Sequence, residues 1–302
     1  MNRLRNQILA LPKADVHNHL HLGGTQKMLL QKYPNANLDI PNFYDGLDGM
    51  VDFINNHINS LILTSDDMIF FFEMALANSI NDNVTYLEAS IDIGFVRFFD
   101  NAIEDLISAV RHLKESYKSR IDFRPDIGIN KDHRLEEVNS IGLKCIESGV
   151  FGGIDIYGKE INRELDAFVP IFDAAKENGL KTKVHIGEFS DHKTIDKVIS
   201  LFHPTEIQHG ITASNSMETM NMLLENDIQL NVCPQSNICL GAVKHISEHP
   251  IRKLYDHGIK LTINTDDHLL FNATLTDQYL DLIEKQVFSF EEIENIRNNG
   301  FN

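Results

Sequence analysis

The strongest constraint on the fold is an alternation that runs the length of the chain. From Lys13 onward, short runs rich in strand formers take turns with helical stretches, the pattern of β/α units around a parallel sheet. The strand candidates are Ala14–Leu20, Val84–Ile91, Ile121–Ile129, Gly152–Tyr157, Thr182–Ile186, Glu206–His209, Ile228–Cys233 and Ile259–Thr265. Eight such runs with helices between them, in about 250 residues, match an α/β fold of the (β/α)8 TIM barrel type. No linker, low-complexity tract or internal repeat divides residues 1–302, so they read as a single barrel domain.

The helices show their own periodicity. Ile103, Leu106, Ile107, Val110, Leu113 and Tyr117 form an apolar stripe over 102–117, and Phe168, Ile171, Phe172 and Ala175 form one over 166–178. Ser289-Phe290-Glu291-Glu292 has capping-box spacing and starts the last helix. The longest connection, residues 22–83, is a helical insertion after the first strand. Its Met68–Ala77 part reads as helix and its Tyr33–Met50 part as irregular. An insertion of that length at a barrel top commonly serves as a substrate lid.

Composition narrows the partners. Lys plus Arg total 27 against 44 Asp plus Glu, a net charge of −17, which disfavours a nucleic-acid backbone or an anionic membrane surface. A neutral small molecule is the expected partner, and the oligomeric state is not readable. Cys145, Cys233 and Cys239 are too few and scattered for a disulfide framework and fit a reducing compartment. No apolar run reaches the ~18 residues of a membrane span. Met1–Lys13 lacks a signal peptide's apolar centre, so the expected location is cytoplasmic.

In a (β/α)8 barrel the active site lies at the C-terminal strand ends, and here those ends carry unusual residues. His17, His19 and His21 alternate along the first strand, and residues two apart point to one side. The fifth candidate ends in His185-Ile186-Gly187-Glu188, the sixth in His209-Gly210 and the eighth in Asp266-Asp267. Each alone has a bland reading, since an Asp-Asp can cap a helix and a His-Gly can be a turn. Arriving at one face, they make a metal site. Three neutral imidazoles and one carboxylate suit one Zn2+ with a position left for water, whose pKa then falls from ~15.7 towards 7. A remaining carboxyl can donate a proton, and a remaining His can orient the water or accept its proton.

These residues sit in motifs that resemble the adenosine deaminase family of the amidohydrolase superfamily over nearly the whole chain. Leu11-Pro12-Lys13-Ala14-Asp15-Val16-His17-Asn18-His19-Leu20 resembles the family's L-P-K-[AV]-[ED]-L-H-x-H-L. His185-Ile186-Gly187-Glu188 resembles H-A-G-E, Gln208-His209-Gly210 resembles I-G-H-G, Cys233-Pro234-Gln235-Ser236-Asn237 resembles C-P-x-S-N, and Asn264-Thr265-Asp266-Asp267 resembles N-T-D-D. The resemblance implies that His17, His19, His185 and Asp266 hold one zinc ion. It implies that Glu188 protonates N1 of a 6-aminopurine, that His209 positions and helps deprotonate the water, and that Asp267 bonds N7. The backbone of Gly158, in Gly153-Ile154-Asp155-Ile156-Tyr157-Gly158-Lys159-Glu160, meets N3 as the glycine of G-x-D-x-x-G-x-E does. The implied reaction is hydrolytic deamination of adenosine or deoxyadenosine, with adenine or an N6-substituted purine or nucleotide as alternative. Cys233 has no catalytic duty in this scheme.

The match departs in places that concern the substrate. The family continues H-L-D-G-S or H-L-E-G-T, whereas this chain reads His19-Leu20-His21-Leu22-Gly23-Gly24-Thr25. Either His21 replaces the acid, or two residues are inserted and Gly23 does; both lose a carboxylate that anchors a sugar hydroxyl. Strand parity aims His21 at the pocket mouth, as a substrate-binding residue. Glu88-Ala89-Ser90 lacks the Arg of E-x-R, and His268 stands where Pro usually follows the paired Asp. A nucleotide needs cations near the mouth, and Lys131, His133, Arg134, Lys159 and Arg163 read as solvated loop residues. Lys159 also admits a different amidohydrolase with a carboxylated lysine bridging two metals, and a non-catalytic zinc-containing purine-binding protein is a third reading.

Overall fold

Eight parallel strands pair in chain order, β1 to β8, in the computed structural model, which describes residues 2–160 and 165–301. They are β1 Lys13–Asp15, β2 Val84–Asp92, β3 Asp122–Asn130, β4 Gly153–Tyr157, β5 Lys181–Ile186, β6 Glu206–His209, β7 Gln229–Val232 and β8 Leu261–Ile263. The bridge Asn18↔Asp266 draws the two edges together just beyond β1 and β8, with Asp266 N donating to His17 O at 2.9 Å, while His19↔Ser90 extends the pairing of β1 with β2. The sheet is thus a nearly closed (β/α)8 barrel. Arg163 lies outside the described residues.

Period-two alternation explains both surfaces of the barrel wall. Ile127, Ile129, Ile154, Ile156, Val184 and Ile186 are all buried, and they belong to the core shared with the surrounding helices. Among those helices, Ile103–Tyr117 and Val169–Glu177 carry the two apolar stripes, and Ser289 caps Phe290–Asn299 through a capping box with Glu292. Several residues alternating with the apolar strand positions, among them Glu88, Asp126, Asp155, Lys183 and His185, are polar and buried, and burial obliges them to pair. Lys183 Nζ, fully buried, pairs with Glu88, with Asp126 at 2.6 Å and with the Val16 carbonyl at 3.1 Å. Lys181 bridges Glu88 and Glu206 at 2.8 and 2.9 Å. Glu88 of the departing Glu88-Ala89-Ser90 segment therefore finds its cations on β5. Lys183→Met is expected to destabilise the fold by about 3–5 kcal/mol, because it strands buried carboxylates; urea unfolding checks this.

Two expectations change. The chain does not continue as strand to Leu20: Leu20–Leu22 is a 3-10 turn that buries both leucines, so parity does not govern His21. The irregular stretch ends before Gly46, where a helix Gly46–Phe53 begins and runs through a π-helical turn Ile54–Ile58 into Asn59–Leu61. Helix Ser65–Asn81, which contains Met68–Ala77, packs on β2 as an ordinary barrel helix. Among the described residues no helix is long and apolar enough to cross a membrane.

Candidate active site

The chain brings His17, His19, His185 and Asp266 together, with one ligand atom of each lying within 4.8 Å of the others. Hydrogen bonding settles two of the tautomers. His17 Nδ1 faces the Asn231 carbonyl at 3.0 Å, and His185 Nδ1 faces Asp155 Oδ1 at 3.0 Å, so both Nδ1 atoms carry hydrogen. The bare Nε2 lone pairs of His17 and His185 are then 3.0 Å apart, and Asp266 Oδ1 lies 3.4 Å from His17 Nε2 and 3.6 Å from His19 Nε2. Converging lone pairs repel unless a cation lies among them. Ligands about 2.1 Å from one tetrahedral ion are about 3.4 Å from each other, so the donor set fits a metal. Cys233 Sγ also reaches His17, 3.3 Å from Nδ1, but that nitrogen is committed to Asn231.

Asp155, on β4, orients His185 and is itself held by the Ser90 hydroxyl. Burial opposes its ionisation, but the His185 contact and the neighbouring His19 and His17 keep its carboxyl well below the usual range. Asp155→Ala is expected to weaken metal binding by about 10–100-fold, measured by competition with a chelator.

Glu188 follows β5 in a turn that Glu160 holds. The Glu160 carboxylate accepts the backbone N–H groups of Gly187, Glu188, Phe189 and Ser190 at 2.8–3.2 Å. Glu188 Oε1 accepts from Asn237 Nδ2 at 2.6 Å, and Oε2 lies 3.6 Å from His209 Nε2. Burial, with the nearby Asp266 charge, pushes the Glu188 carboxyl well above its ordinary range. His209 shares strand parity with Ile207, yet its φ of 64° turns the end of β6 and delivers the ring beside His17, 4.6 Å between centroids. Left-handed backbone at a non-glycine residue is a cost that a site can impose.

A cavity of about 350 Å3 opens at these strand ends, lined by Glu188, His209, Asp266, Asp267, Gly158 and His21 among others. Asp267 is buried with Oδ1 unpartnered, and burial, Asp266 and Glu188 together raise its pKa well above the ordinary value. Gly158 has φ +93°, and a Cβ there would meet Asn130 Oδ1 at 2.7 Å, so its backbone alone can face the cavity. His21 reaches the cavity through the 3-10 turn, edge-on to Phe95 at 4.8 Å, and burial next to His19 pushes it down to about 3, leaving a neutral ring. His268 donates to the Gly24 carbonyl at 2.9 Å, so the replacement for Pro anchors the altered His21–Gly24 turn.

The loop cations divide. Lys131 is buried, with Nζ near the His185 carbonyl at 3.3 Å, contrary to the solvated reading. His133 pairs with Asp92 at 2.8 Å, Arg134 with Glu137 at 2.6 Å, and Lys159 with Asp48 at 2.8 Å on helix Gly46–Phe53. Lys159 is thus occupied at the rim. Sequence reasoning missed Asp155, Glu160 and Asn237 as supports, although all three stand in the quoted motifs. It also missed Leu47, Met50, Val51 and Ile54, which line the cavity at helical spacing.

Residues 12–302 match the family model described as adenosine deaminase. A Treponema pallidum (strain Nichols) protein with the provisional name adenosine/adenine deaminase is 34% identical over 276 residues, covering 90% of this chain and 91% of that one. The adenine deaminase of Arthrobacter aurescens has the same fold, with TM-score 0.83 at 20% identity over 96% of this chain and 93% of that one. An amidohydrolase from Burkholderia ambifaria, solved with bound Zn, gives TM-score 0.81 at 20% identity over 98% and 86%. The chain belongs to the adenosine deaminase family and is an enzyme, a purine aminohydrolase.

Proposed function

We propose that this enzyme is a zinc-dependent deaminase of 6-aminopurine nucleosides, converting adenosine or deoxyadenosine to the 6-oxo product and ammonia. The observation that carries the reading is a pair of buried acids, Glu188 and Asp267, lining one cavity beside a four-ligand metal cluster. Held by His17, His19, His185 and Asp266, zinc supplies the Lewis acidity that makes water a nucleophile near neutral pH.

The chain's own groups account for the proton transfers. Protonated Glu188 gives its proton to purine N1, which makes C6 electrophilic. N7 is an acceptor, so Asp267 bonds it as the neutral acid, the form its burial favours. The Gly158 N–H serves N3, and His209 orients the water. As the water oxygen bonds to C6, one of its protons passes to the departing amino group, which leaves as ammonia when the C6 carbonyl forms, and the other returns to Glu188 and restores the acid. Residues 46–61 supply Leu47, Met50, Val51, Ile54, Asn55 and Asn59 to the cavity, and we read them as the lid that excludes bulk water.

Beyond the base contacts the cavity is lined by His21, Asn55, Asn59, Arg97, Asp132 and the Asp92–His133 pair, a polar wall of mixed charge with donors and acceptors for sugar hydroxyls. Adenine is the second reading, favoured by the missing carboxylate at the His21 turn. Loss of 6-amino absorbance across adenosine, deoxyadenosine, adenine, AMP and N6-methyl forms tests this. The expected ranking places the nucleosides at least about 10-fold above AMP in kcat/KM, since the carboxylates Asp92 and Asp132 line the cavity with Arg97 and His133 and oppose a phosphate there. Adenine turned over best selects the second reading, and inertness of the whole panel with metal-loaded protein leaves a purine-binding protein.

A further inference from the structure

Behind the acid and the histidine runs a buried chain that the reaction above does not use. It starts at a donor whose direction is unambiguous. The backbone N–H of Ile251 points at His249 Nδ1 from 3.1 Å, so Nδ1 accepts. Burial pushes His249 down to about 4, and the neutral ring therefore carries its one hydrogen on Nε2. That Nε2–H lies 3.0 Å from Asn237 Oδ1, which settles which end of the amide faces which neighbour. Asn237 Nδ2 is left facing Glu188 Oε1 at 2.6 Å and His209 Nδ1 at 3.2 Å.

An amide nitrogen has two hydrogens and no lone pair to offer, so both of those neighbours must accept. The carbonyl oxygen of an acid accepts better than its hydroxyl, so the Glu188 proton is favoured on Oε2, and the hydrogen of neutral His209 is held on Nε2, the nitrogen 3.6 Å from Glu188 Oε2 and 3.9 Å from Asp266 Oδ2. Turning the Asn237 amide over would reverse both: Glu188 would have to offer its proton to Asn237, and His209 would carry hydrogen on Nδ1. Asn237 is fully buried and His249 is 5% exposed, so water does not compete for these bonds.

We propose that His249, acting through Asn237, is a positioning residue that places the proton of Glu188 on the oxygen free to meet purine N1 and sets His209 as a hydrogen-bond donor towards the reacting oxygen. This rests on the deaminase reading for its consequence, though not for the proton placement itself. His209 in this tautomer orients the water by donation and takes no proton at the outset.

Full-length zinc-loaded His249→Phe and His249→Gln provide the kinetic test with adenosine. The Phe variant is expected to lose kcat by about 10–100-fold with KM and zinc content near the wild type. Gln restores most of the rate, because its Nε2–H sits where the imidazole Nε2–H does. A wild-type kcat in the Phe variant, or an equal loss in Phe and Gln, overturns the proposal. Nitrogen-15 NMR of histidine-labelled, zinc-loaded wild type needs neither a variant nor turnover. His249 and His209 both as Nε2–H tautomers support the proposal, and Nδ1–H at either overturns it. If the wild type deaminates no purine, the deaminase reading falls while the spectrum still decides the proton placement.

Discussion

Glu188→Gln is expected to keep one zinc per chain and to lose deaminase activity by about 10²–10⁴-fold, the range supplied by a positioned general acid. The substitution preserves volume and still offers an oxygen to Asn237 Nδ2, which now bonds Glu188 Oε1 at 2.6 Å. The Glu160 clamp is also untouched, because it holds backbone N–H groups of the turn and not the Glu188 side chain. What disappears is the proton for N1, without which the purine ring resists addition of water. Steady-state kinetics beside metal analysis makes the check, and a rate within about threefold of wild type would remove Glu188 from the proton-donor role.

Asp266→Ala is expected to lose both metal and activity, with turnover falling by more than about 10³-fold. Asp266 is the one anionic member of the cluster, its Oδ1 lying 3.4 and 3.6 Å from two imidazole nitrogens. Removing it leaves three neutral rings whose lone pairs converge with no carboxylate to offset the ion's charge. Alanine must also accept φ 58°, a left-handed conformation that costs about 1–2 kcal/mol. Metal content after dialysis against a chelator reads the first loss and ammonia release the second. Zinc retained at one equivalent by this variant would show that the carboxylate is not a ligand. The contrast with Glu188→Gln separates metal holding from proton donation within one cavity.

How much was legible depends on how far apart the interacting residues lie in the chain. The barrel was readable because strand and helix periods are local, and because a (β/α)8 fold sends every strand's C-terminal end to one face. That rule alone gathers His17, His19, His185, Glu188, His209 and Asp266 from four strand ends without any knowledge of side-chain contacts. Helix Gly46–Phe53 was missed although Leu47, Met50, Val51 and Ile54 have helical spacing, because the loop residues preceding it masked a short stripe. His21 was placed by strand parity, yet it reaches the cavity because the burial of Leu20 and Leu22 curls the chain into a 3-10 turn first.

Motif spacing and period thus determined the architecture and the types of group that meet at its upper face, because both follow from repeats of a few residues. Tertiary structure alone decided what state those groups are in. The His17 and His185 tautomers depend on Asn231 and Asp155, the Glu188 turn on Glu160, and the Glu188 proton on a bond from His249 through Asn237. Lys131 reads as a solvated loop residue in the sequence and is fully buried in the fold, as is Lys183 on β5. Each of these outcomes is set by a hydrogen bond or charge from another strand or loop, inside a volume that excludes water, where a buried polar group takes whichever form its neighbours can satisfy.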